Sequence, residues 1–138
     1  MTGPELVVAP DIETALVQHL QSVFDDRGDT ARVVTELPEE RPDRLVLLYR
    51  AGGLRRNRVT DAPVIIAQFW DLTDIAACEL GRLSEGLLLA VDGLFIGDPP
   101  VWIEDVGITG GLAYFPDPDT TLPRYQLTAQ LLTNCEVL

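Results

Sequence analysis

The chain has 138 residues, 46% of them hydrophobic and 23% charged, which is the composition of a folded globular chain and excludes a disordered tail. Ten basic residues against twenty-two acidic ones give a net charge of -12, which argues against gripping nucleic acid by counterion release. The length fits a single α+β domain over residues 1–138, able to bury roughly two thirds of its unfolded surface.

No apolar run approaches the ~20 residues of a membrane span, and no basic stretch followed by an apolar one opens the chain, so neither a membrane segment nor a signal peptide is expected. Cys78 and Cys135 are too far apart in sequence for a CxxC metal site and read as reduced small hydrophobes. All ten basic residues are arginine, a side chain suited to planar two-pronged contacts.

Pro10-Asp11 reads as a helix start, with Asp11 able to accept from the first free amides and Glu13 near the positive helix end. Ile12, Ala15, Leu16, Leu20, Val23 and Phe24 then recur at helical spacing, and the helix stops by Gly28. His19 lies beside this stripe and reads as a boundary histidine: no glycine-flanked serine and no orienting acid accompany it. Ala31 to Leu37 and Asp43 to Arg50 read as strands separated by a turn with two prolines. The continuous apolar centre of the second predicts burial on both faces.

Ala51 to Asp61 follows as a long loop, with Gly52-Gly53 as a hinge and Asn57 at a turn, before a strand from Val64 to Trp70. Between Arg41 and Arg58 six arginines face one acid, Asp43, for a local +5. The rest of the chain, with four arginines and twenty-one acids, carries -17. A basic hairpin therefore projects from an acidic body: either its arginines merely neutralise neighbouring carboxylates within the same fold, surface pairs worth ~0 to 1 kcal/mol each, or, the sharper expectation, they provide complementarity between copies or with a partner. A phosphate cradle is not expected there, since neither GxxxxGK[ST] nor GxGxxG before a helix is present.

Asp71 or Thr73 caps a second helix whose predicted apolar stripe is Leu72, Ala76, Leu80, Leu83, Leu87 and Ala90. Gly81 and Gly86 within it predict a close neighbour at each. Leu94-Phe95-Ile96 is an exposed-looking break. Val101 to Ala113 reads as a strand bent at Gly107, Gly110 and Gly111, Pro116 to Asp119 as a rigid acidic turn, and Leu122 to Thr133 as a last strand. In that strand Tyr125, Leu127, Ala129 and Leu131 oppose Gln126, Thr128 and Gln130. The expected order is α-β-β-β-α-β-β, a mostly antiparallel sheet of about five strands with both helices on one face.

Chemistry-bearing residues are sparse. One histidine, no lysine and two serines leave carboxylates as the only catalytic candidates. The adjacent pairs Asp25-Asp26 and Glu104-Asp105 do not converge on regular elements, and Asp98, Asp117 and Asp119 lack calcium-loop spacing. No catalytic residue, cofactor or metal is expected.

The ordered set PDIETALVQHLQ, RLVLLYRAGG, LRRNRVTDAPVIIAQFWD, an alanine-rich second helix and FPDPDTTLPRYQLTAQLL resembles the tail terminator proteins of long-tailed bacteriophages, particularly those of phages infecting GC-rich actinobacteria. The resemblance spans almost the whole chain. It implies a virion protein of the tail and neck that forms a six-membered ring on the finished tail tube. Such a ring stops tube polymerisation and docks to the head connector or stopper protein, while DNA passes without specific binding. Within that picture Arg50, Gly52, Gly53, Arg55, Arg56, Asn57 and Arg58 are the expected subunit or partner contacts, and Asp117 and Asp119 the expected lumen-facing or tube-facing acids. Another neck or head-completion protein is the alternative within the same setting; a small acidic enzyme or ligand-binding domain lies outside it.

Overall fold

The structure, a computed structural model, describes residues 3–138. After a short strand β1 (Val7–Val8), helix α1 (Ile12–Asp26) starts where Asp11 accepts from the Thr14 amide at 3.2 Å. Its buried side is the predicted one: Ile12, Ala15, Leu16, Leu20 and Phe24. Strand β2 (Arg32–Val34) is shorter than its apolar run suggested and pairs in parallel with β3 (Leu45–Arg55). Strand β4 (Thr60–Trp70) returns antiparallel to β3.

Helix α2 (Asp74–Leu89) is capped by Thr73, whose side chain accepts from the Ala76 amide at 3.1 Å. Beyond it come β5 (Phe95–Ile96), β6 (Val101–Tyr114), β7 (Arg124–Asn134) and β8 (Glu136–Val137). The main sheet runs β2-β3-β4-β7-β6-β5, six strands where about five were expected, and every neighbouring pair but β2-β3 is antiparallel. The sixth strand and the separate β1-β8 pair are two residues long, too short to show a period.

Both helices cover one face, where Leu16, Leu20, Phe24, Leu80 and Leu88 meet Val46, Leu48, Ile65, Phe69, Leu127 and Leu131. On the other face Leu45 and Leu47 pack with Trp70, so the centre of β3 is buried on both sides as its sequence indicated. Strand β7 alternates as expected, Leu127, Ala129 and Leu131 inward and Gln126, Thr128 and Gln130 toward the other face, where Gln68 donates to Gln126 at 2.8 Å.

Helix α2 is rotated relative to the stripe read from its sequence. It buries Ala77, Leu80, Gly81, Ser84 and Leu88, while Leu72 and Ala90 are exposed. Small residues let the helix backbone lie close to the sheet: a Cβ on Gly81 would stand 2.6 Å from Leu112 and 3.2 Å from Phe69. Gly86, expected to have a close neighbour, faces open space instead.

A candidate interface: the basic arm and the acidic turn

The arginine segment is not a long loop. Strand β3 stays paired to β4 through Arg55, and only residues 56–59 form the tip, so the expected loop from Ala51 to Asp61 is corrected to an extended ribbon. The pairing survives because two residues bulge out between Arg50 and Gly53, with φ of 93° at Gly52 and 101° at Gly53. The glycine pair is therefore a pinned bulge rather than a hinge. Asn57 closes the tip by accepting from the Val59 and Thr60 amides, both at 2.9 Å. All of residues 51–59 are exposed.

Among the described residues the arm's arginines divide into holders and one without a partner. Arg50 forms a two-pronged bond to Asp61, at 2.6 and 3.0 Å, and that carboxylate is only 1% exposed. A buried carboxylate needs such a partner, so Arg50 is fixed within its own chain. Arg55 donates to the carbonyls of Val7, Asn57 and Arg58 at 2.7–3.1 Å, and Arg58 reaches the Glu5 carbonyl at 3.4 Å. These bonds rivet the tip to the segment around β1. Arg56 alone among the arm's arginines has no side-chain partner among the described residues. The sequence left Asp61 unassigned, although its place as the single acid in the run from Thr60 to Trp70 was the available signal.

The acidic turn is also corrected. Asp117 does not face solvent or a lumen: its side chain is 6% exposed, accepts from the Trp70 indole at 3.1 Å and the Asp119 amide at 2.9 Å, and lies 3.9 Å from Arg124. Burial pushes its pKa up, but the bonds from Asp119 and Trp70 and the charges of Arg124 and Arg41 outweigh this and hold it below the usual carboxylate range. Asp119 is exposed. Two guanidinium groups lie against Trp70, Arg41 at 4.9 Å and Arg124 at 5.7 Å from the ring centre. The turn, the end of β4 and the Arg41 loop are thus one locked unit.

A second ionic knot joins the loop after α1 to the sheet. Arg44 binds Asp29 through two nitrogens at 2.8 and 2.9 Å and Asp71 through a third at 3.0 Å. The bond from Arg44 lowers the Asp29 pKa against the opposing effect of burial, with the Ala31 amide assisting. Because the folded pKa lies below the unfolded one, this stabilisation is present above about pH 4 and is lost as pH falls through the folded value. Urea midpoints measured from about pH 6 to about pH 3 should accordingly fall more steeply for the native chain than for Asp29→Asn.

Elsewhere, His19 is half-buried, and burial lowers its pKa; Cys78 and Cys135 are free thiols. Tyr125 donates to Asp74 at 2.6 Å, which together with burial pushes its pKa up to about 12. The Glu104-Asp105 pair escapes strand alternation, because the register with β7 shifts between Ile103 and Asp105 and leaves both acids exposed. No helix is long and apolar enough to cross a membrane, and no cluster of three or more metal-ligating side chains occurs among the described residues. No family model matches the chain, and no curated protein matches it.

Proposed function

We propose that the chain is a tail terminator subunit: six copies form a ring on the tail tube of a long-tailed bacteriophage, end tube growth and join it to the head connector, with DNA passing through unbound. The observation that carries this reading is the arm. Nine consecutive residues, 51–59, are exposed, and Arg56 has no side-chain partner among the described residues, on a chain whose remainder is strongly acidic. Holding such a ribbon in place with three of its own arginines is sensible if it presents a contact to something else. A ring uses different surfaces on its two sides, so a basic projection and an acidic body form a natural joint. The ordered sequence resemblance points the same way.

The arginine roles are refined accordingly: Arg50, Arg55 and Arg58 hold the arm, while Arg56 and the exposed Leu54 make the contact. Asp119, not Asp117, remains available to face a lumen or tube. The test is to add the purified chain to polymerising tail tube protein of an actinobacteriophage and measure tube length and end caps by electron microscopy. The native chain should cap and shorten tubes, and Arg56→Glu should weaken capping about tenfold or more, as loss of one central arginine contact does. Tubes indifferent to the native chain would overturn the reading.

A further inference from the structure

The six-stranded sheet has two outer edges, and the fold treats their parts unequally. At β2 the Gln21 side chain occupies the edge, donating to the Ala31 carbonyl at 3.0 Å and accepting from the Val33 amide at 2.8 Å. At β5 helix α1 covers the edge: Gln18 accepts from the Asp98 amide at 2.8 Å, and a Cβ on Gly97 would meet Ala15 at 2.8 Å. Two stretches lack such protection. Strand β3 beyond its last β2 partner, Leu47, has an open side over residues 48–55, where the one bond from outside the ladder is Arg50 Nε on the Gly52 carbonyl. Strand β6 beyond Ile103 is likewise open over residues 104–114. Uncapped edges are templates for another strand, and folds that do not use them block them.

The two open stretches complement each other in direction and charge. Neighbouring strands alternate in direction from β3 through β4 and β7 to β6, so β6 runs opposite to β3, and an antiparallel ladder between copies needs no reversal of either chain. Laid fully alongside, residues 48–55 run against residues 114–104, which brings the arm tip beside Glu104 and Asp105. Among the described residues neither Arg56 nor Asp105 has a side-chain partner.

We infer that the open edge of β3 in one copy pairs antiparallel with the open edge of β6 in the next, Arg56 meeting Asp105, so that copies associate head to tail through a continuous sheet. This deepens the ring reading and rests on it for closure. The two open parts lie at nearly the same level of the sheet, since Arg55, opposite Asp61 and through it Thr133, is level with Ile103, and Leu48, opposite Ala67 and through it Leu127, is level with the stretch between Gly110 and Ala113; bringing Arg56, at the level of Asn134, to Asp105, at the level of Leu132, offsets neighbouring copies slightly. Each copy must then step along the strand direction, which in a closed ring means strands inclined to the axis, as in any barrel.

Cysteine trapping tests this. In a Cys78→Ser, Cys135→Ser background checked for folding by circular dichroism, Ala51→Cys and Thr109→Cys chains are treated with a short bismaleimide, singly and mixed; Leu54→Cys with Gly107→Cys, where a Cβ meets nothing within 4 Å, serves as a second pair. Cross-linking in the mixtures and not in the single chains is expected, and a chain carrying both cysteines should give a ladder ending at six. Arg56→Glu and Asp105→Arg should each abolish the products, and their combination should restore them. Cross-links within single-variant samples, or none in the mixtures, would overturn the edge pairing; if the chain still capped tubes, the ring reading would stand without it. A ladder continuing past six would support the pairing and overturn the closed ring.

Discussion

Trp70→Phe should destabilise the protein by about 2 kcal/mol, far more than the lost contact area suggests, and Trp70→Ala by about 4 kcal/mol. The indole is 1% exposed, and its N–H is a donor to the buried Asp117 carboxylate. Phenylalanine fills most of the space beside Arg41 and Arg124 but leaves that carboxylate short of a partner, which is the costly part. Urea unfolding followed by far-ultraviolet circular dichroism gives the measurement. A phenylalanine variant as stable as the native chain would show that Arg124 and the Asp119 amide satisfy Asp117 unaided.

The two glycines of the bulge should respond very differently to alanine. Both have φ in the left-handed region, which costs an alanine roughly 1–2 kcal/mol. A Cβ on Gly52 meets nothing within 4 Å, so that strain is its whole cost. On Gly53 the same carbon would overlap the Ala62 carbonyl and stand 2.7 Å from the Val64 amide nitrogen, both backbone atoms of the paired strand. The strand must then separate locally, and a loss of about 3 kcal/mol or more is expected for Gly53→Ala. Thermal melts of the two variants decide it, and equal shifts would mean the bulge can relax.

Much of the fold was legible because local signals and packing agreed. In α1 the cap at Asp11 and the stripe from Ile12 to Phe24 both place the same face inward. In β7 alternation alone sorted the inner from the outer residues. Helix α2 was misread because size overrode hydrophobicity: Gly81 and Ser84 face the sheet, where a leucine stripe would hold the backbone too far away. The arm's length was misread because a glycine pair is the same signal in a loop and in a bulge, and only the partner strand distinguishes them.

The arm could be located from charge but its division of labour could not. Arg50 and Asp61 are separated along the chain by the tip itself, and Arg55 reaches Val7 across a still larger gap. Asp117 misled for the same reason: a proline-flanked acid reads as a solvent turn unless the distant Trp70 is known to lie against it. Periodicity reports which way a residue points along its own element, not which remote polar group waits there.

The chain's two tryptophans divide the molecule in a way useful to spectroscopy. Trp70 is buried beside two guanidinium groups in the small cluster on the far face of the sheet, while Trp102 is half-exposed against Phe95 at 4.9 Å and hydrogen-bonds Glu104, where the open part of β6 begins. One indole therefore reports on the interior and the other on the rim. Their emission separates unfolding from association without any added label, a convenience in a protein with no lysine to carry an amine-reactive dye.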